Sequence, residues 1–223
     1  MNQQYAVARP APSVLATNKL IRNTYILLSM TLLFSALMAG VSIAMNLPHM
    51  GLLITLGGYF GLLYLTSALR NSIWGLAAIF GLTGFMGLTL GPFINAYVQF
   101  FSNGGQLVML ALGGTGVIFL GLSGYALTTR KDFSFMGGFL MVGILVAFLL
   151  GICAAIFSMP FMALAVSAIF ILLMSGLILY QTSEMIHGGE TNYIMATITL
   201  YVAIYNLFTS LLHILAMFAG QER

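Results

Sequence analysis

Gln106 to Lys131 reads QLVMLALGGTGVIFLGLSGYALTTRK, an uncharged run closed by a basic pair. A helix rises 1.5 Å per residue, so about 20 apolar residues cross a hydrocarbon core of about 30 Å. This run, spanning Gln106–Thr128, is long enough. Six more like it lie near Thr24–Asn46, Met50–Ala68, Ile73–Val98, Phe135–Ser158, Phe161–Ile186 and Tyr193–Phe218. The basic residues fall in alternate gaps: Arg9, Lys19 and Arg22 before the first run, Arg70 after the second, Arg130 and Lys131 after the fourth. Only Arg223 departs from this alternation. Lys and Arg are retained on the cytoplasmic side, so the N-terminus is expected inside and, after seven spans, the C-terminus on the opposite side.

Composition agrees, because 61% apolar and 5% charged residues in a chain of 223 leave too little polar surface for a water-soluble globule. The expected fold is all-α: a seven-transmembrane-helix bundle over residues 23–218, a disordered tail over 1–22 and a short tail over 219–223. The leading segment, with Pro10 and Pro12 and no apolar period, would reach roughly 60–70 Å if its roughly 20 residues were extended. The first run continues to Met45, too long for the apolar core of a signal peptide, so it is read as a retained span. Orientation explains the net charge of +3, and no nucleic-acid partner is implied.

Small residues mark close helix approach. Gly57 with Gly61, Gly87 with Gly91, and the Gly81, Gly84, Gly87 series are read as bundle packing rather than a dimer seam. Gly91–Pro92 should kink or break the third span. Gly113-Gly114-Thr115-Gly116 lacks the Lys of a phosphate loop. The one cysteine, Cys153, can close no internal disulfide, and three histidines without ligand spacing support neither zinc nor haem. No cofactor is expected. Motifs for zinc proteolysis, a nucleophile elbow or an aspartate pair are missing, which argues against an enzyme.

The richest polar cluster ends the sixth run: Gln181, Thr182, Ser183, Glu184 and His187, followed by Gly188-Gly189 and Glu190. Gln181, Glu184 and Gly188 share a helix face. Arg70 or Arg130 could pair with Glu184 as a latch, with Glu184 or His187 sensing pH. The alternative is a hydrated turn whose charges face water. Asn206 and His213, two turns apart in the last run, suit interhelical hydrogen bonds, although no partner is identifiable from sequence. His49, beside Pro48, reads as a loop residue.

LTTRKDFSFMGG at Leu127–Gly138 and LYQTSEMIHGGETNYIMATITLYVAIYNLFTSLLHIL at Leu179–Leu215 resemble the bacterial branch of the Bax inhibitor-1 superfamily, the transmembrane BAX inhibitor motif proteins. The likeness extends through RNTYILLSMTL at Arg22 and GPFINAY at Gly91. Within the superfamily the chain looks like the modulators of the FtsH protease. The resemblance implies a multi-pass protein of the bacterial inner membrane, its C-terminus periplasmic. It implies association with the membrane-anchored AAA protease FtsH, and with that protease's membrane-bound partners, restraining degradation of other membrane proteins. The tail, beginning Asn2, Gln3, Gln4, Tyr5, would be the segment such a machine grips.

Other members of the superfamily look like pH-sensitive calcium leak channels with two intramembrane aspartates. Those positions carry over to Gln181, where LYQT stands for LYDT, and to Ala203 in LYVAIYN. Both acids are missing, which removes the hard oxygen ligands calcium needs. Glu184, a turn from Gln181, is the residue that could replace one charge, so a proton or weak cation leak is the rival function. A structural assembly factor is a third reading. Sequence leaves the oligomeric state open.

Overall fold

The computed structural model describes residues 14–221, and the candidate tail residues Asn2, Gln3, Gln4 and Tyr5 lie outside the described residues. Seven helices fill the described chain: α1 (Val14–Ala44), α2 (Gly51–Ala68), α3 (Trp74–Phe100), α4 (Gly104–Thr129), α5 (Gly137–Ile156), α6 (Pro160–His187) and α7 (Tyr193–Gln221). A single 3₁₀ turn, Ser134–Met136, leads into α5. All seven helices are long and apolar enough to span a membrane. Side chains such as Leu53, Phe161 and Leu172 stay exposed on the outside, as lipid-facing residues do when solvent and core are both apolar.

The bundle is organised around α7, which packs against α1, α3, α4 and α6. Its Ile194, Leu200, Tyr201, Leu207 and Leu212 are almost completely buried. Beyond this core, α2 leans on α3 and α5 on α6. A cavity of about 680 Å³ separates α2 from α5, lined mainly by apolar side chains with Tyr59, Thr89, Tyr205 and Asn206 among them. Phe60 and Phe148 meet edge to face across it, their ring centroids 5.7 Å apart.

Four sequence expectations need correction. Helix α1 begins at Val14, so residues 14–22 are not tail; Leu20 and Ile21 already pack against the core and extend the helix beyond the apolar run. At the other end α7 continues through the start of the segment assigned to a short tail. The glycines divide: Gly84, Gly87 and Gly91 face α1, where a Cβ would run into Phe34, the Ser35 backbone and Ser42. Gly57 and Gly61 meet nothing and lie on the outer surface of α2, so they are not bundle-packing residues. Pro92 does not end α3, for a reason found on α1: Ser42 Oγ donates to the Leu88 carbonyl at 2.8 Å.

Candidate functional site

One end of the bundle carries Arg22, Arg70, Arg130, Lys131 and the α6–α7 turn, and its loops are tied by side chains of α6 and the α6–α7 link. Gly188 ends α6 in the left-handed conformation (φ 81°), where a side chain would be strained. The Glu190 amide then folds back to donate to the Glu184 carbonyl at 3.1 Å. Glu190 Oε1 accepts from the amides of Thr191 and Asn192, at 2.8 and 2.7 Å. Asn192 Oδ1 in turn accepts from Ile194 and Met195, at 2.9 and 3.1 Å, and so caps the first turn of α7. Its Nδ2 donates to the Arg70 carbonyl and to Asn71 Oδ1, both at 3.0 Å, fastening the α2–α3 loop to the α6–α7 link.

Ser183 does the same for the α4–α5 loop. Fully buried, it accepts from the Phe133 amide at 2.9 Å, and its Oγ lies 3.4 Å from the Lys131 carbonyl. His187 Nδ1 lies 3.0 Å from the Ser183 carbonyl and 3.3 Å from its hydroxyl. In the same loop Asp132 Oδ1 accepts from the amide and hydroxyl of Ser134, at 2.9 and 2.6 Å. Those two bonds, helped by the nearby His187, hold the Asp132 carboxyl below its ordinary range, because they favour its charged form.

Glu184, the residue expected to latch this end, lies in the last turn of α6, beside the α6–α7 turn. Glu184 is half-buried, its carboxylate folded over Gly189, where a Cβ would collide with it. Its charged neighbours include Asp132, Glu190 and His187, two acids and a histidine. Arg70 lies in the loop held by Asn192, and Arg130 occupies the left-handed position after α4 (φ 49°), both exposed. Hydrogen bonds from Ser183 and Asn192 pin the loops of this end. Spacing could not reveal these bonds, because they join side chains to groups distant in sequence, most of them backbone.

Gln181 is buried, and its Nε2 has no hydrogen-bond partner; Ala203 is fully buried in the core. Asn206 donates to the Val202 carbonyl of its own helix at 2.8 Å and faces the α2–α5 cavity. His213 Nδ1 lies 2.8 Å from Ser167 Oγ on α6 and borders a different cavity, of about 560 Å³, near Ala154 and Pro160. The two residues thus open on separate spaces. Sequence reading missed the buried Tyr201, whose hydroxyl lies 2.7 Å from Ser35 Oγ and donates to the Thr83 carbonyl at 3.4 Å. Its only sequence signal was a tyrosine amid apolar residues. Among the described residues no cluster of His, Cys, Asp and Glu is arranged to hold a metal ion.

Residues 17–220 match the family model described as inhibitor of apoptosis-promoting Bax1. The chain is 51% identical over 211 residues, 94% of each chain, to a protein of Escherichia coli K12 named modulator of FtsH protease YccA. It has the same identity and coverage with the inner membrane protein YccA of E. coli O6:H1. To a membrane protein of Vibrio cholerae it is 43% identical over 93% of each chain. With a match that begins in the first helix and runs almost to the end of the last, this chain belongs to the Bax inhibitor-1 family.

Proposed function

We propose that this protein is a multi-pass inner-membrane modulator of a membrane-bound AAA protease of the FtsH type, an inhibitor and slow competing substrate in membrane-protein quality control. The observation carrying this reading is the 51% identity with the E. coli modulator over nearly the whole of both chains. The protein acts by binding and needs no catalytic group of its own. By the positive-inside rule the basic end faces the cytoplasm, which puts the segment before Val14 on the side where an AAA motor engages unstructured chain. A motor pulling from there meets α1 first. Ser35 and Ser42 hold that helix to α7 and α3, and Gly87 and Gly91 let its backbone approach closely, so extraction must break buried polar contacts in lipid.

The test is degradation of a model membrane substrate by an FtsH-type protease in proteoliposomes, with and without this protein, together with co-purification from detergent. Association with slowed degradation is expected; neither association nor inhibition would overturn the reading. One observation favours a second, a proton-sensitive or weak cation leak: Glu184 has acids and a histidine as its charged neighbours, and the adjacent Gln181 amide is unsatisfied. Flux in liposomes that is unchanged by Glu184→Gln would remove Glu184 from that role.

A further inference from the structure

At the basic end, α1, α4 and α6 enclose a pocket of about 390 Å³. Arg22 and Arg130 stand at its edge beside Thr17 and Asn18, and none of its described lining residues is acidic. Below these, Ile21, Leu127 and Ile186 form apolar walls, one on each helix. One helical turn deeper on the same three faces come Tyr25, Ser123 and Thr182, four residues from Ile21, Leu127 and Ile186 respectively. Tyr25 faces α4, its ring centroid 6.0 Å from that of Phe119, which lies four residues before Ser123.

The hydroxyls of all three are buried without a hydrogen-bond partner, and Ser123 and Thr182 are 3% and 0% exposed. Several other helical Ser and Thr return their hydroxyl to the preceding turn, as Thr115 does to Ala111, Thr128 to Gly124 and Ser167 to Ala163, whereas Thr24, beside Tyr25, is buried and unpartnered like these three. A buried polar group left unsatisfied costs about 1–3 kcal/mol, and these three lie one turn beneath residues that line the pocket, where they offer donors to whatever fills it.

We infer that this pocket binds a phosphate-bearing anion, held at the rim by Arg22 and Arg130 and from below by the unpartnered hydroxyls. Guanidinium forks match phosphate oxygens, and hydroxyl donors complete an oxyanion's remaining lone pairs. The apolar walls formed by Ile21, Leu127 and Ile186 suit the phosphate of an anionic lipid; the same donors also suit a soluble phosphate.

Two arms distinguish these sources. The full chain is purified in neutral detergent, and retained phosphatidylglycerol is measured by native mass spectrometry. In phosphatidylcholine nanodiscs, inorganic phosphate is titrated and followed by calorimetry. Binding in either arm is expected to weaken at least about tenfold in the Arg22→Gln, Arg130→Gln double variant, and several-fold in Ser123→Ala, which removes a buried hydroxyl without changing charge. Arg70→Gln, which alters the same end outside the pocket, should leave binding unchanged. Loss in the lipid arm alone assigns a headgroup, and loss in the phosphate arm alone assigns a soluble anion. The inference fails if neither probe binds, if Arg70→Gln weakens binding as much as the double variant, or if Ser123→Ala binds like the parent.

Discussion

The hydroxyl of Ser42 on α1 donates to the carbonyl of Leu88 on α3 at 2.8 Å, and this is the carbonyl that Pro92 cannot reach. In an unbroken helix residue 92 would donate to residue 88; proline has no N–H. A neighbouring helix therefore supplies the missing donor, which is how proline is tolerated within a span. Ser42→Ala should destabilise the bundle by about 1–2 kcal/mol, since it leaves a partly buried carbonyl unpaired. With Pro92→Ala in place the new amide can serve Leu88, and the Ser42→Ala cost should fall by about 1 kcal/mol in a double-mutant cycle read by unfolding in detergent. Strictly additive costs would show the two residues to be uncoupled.

The same seam makes a contrasting prediction for glycine. A Cβ at Gly87 would meet the Ser35 backbone, which cannot move aside without shifting α1, whereas a Cβ at Gly57 meets nothing. Gly87→Ala should cost about 1–3 kcal/mol through overpacking. Gly57→Ala should be neutral or stabilising by up to about 1 kcal/mol, because alanine is the better helix former. Equal melting temperatures for the two variants would contradict the α1–α3 approach described above.

Asn192 joins two loops and caps α7, so Asn192→Ala should remove more than a single surface hydrogen bond. A loss of about 1–2 kcal/mol is expected from the cap alone. Hydrogen exchange gives the sharper test: protection should fall in the first turn of α7 and also around Arg70 and Asn71, far away in sequence. Loss confined to α7 would mean that the cross-loop bonds contribute nothing.

Much of this architecture was legible because the bilayer imposes a length and the basic residues an order. Six of the seven helices begin and end within a few residues of their apolar runs. The exception, α1, starts at Val14 and runs through Thr17, Asn18 and Lys19, where hydropathy carries little signal and the packing of Leu20 and Ile21 decides. The site was less legible. Glu184 invited an arginine partner because all three residues share one end, and placement at one end is all that spacing supplies. The groups that close the end, Ser183 and Asn192, act on backbone atoms, which no residue spacing encodes. Likewise the outward aspect of Gly57 and Gly61 depends on where α2 sits, since small residues look alike on inner and outer faces.

Asp132 gives a prediction in pH. Ser134 lowers its folded-state pKa, so its contribution is present above the ordinary unfolded value and is lost as pH falls from there through the lowered folded value. The group is fully exposed, and the effect on overall stability should be small. Its own titration, followed by carboxyl carbon NMR, should move upward toward the ordinary aspartate value in Ser134→Ala. Replacing His187 with glutamine should move it upward by less, because the histidine is a weaker influence than the two hydrogen bonds. A midpoint unmoved by Ser134→Ala would show that those bonds do not persist in solution.

The start of α1 at Val14 sharpens the test of how a protease would engage this protein. Removing residues 2–13 takes away the segment before the helix and leaves every described contact in place, including the rim of the Arg22–Arg130 pocket. If that segment is the handle, the shortened protein should be degraded more slowly by an FtsH-type protease while still co-purifying with it through the spans. Slow release from a machine it cannot feed would then make it a stronger inhibitor of model-substrate degradation than the full chain. Extending the deletion through Leu20 and Ile21 would remove core packing as well, so its turnover would mix handle loss with destabilisation. Faster turnover of the 2–13 deletion would show that the segment is not where degradation begins and would place initiation elsewhere on the chain.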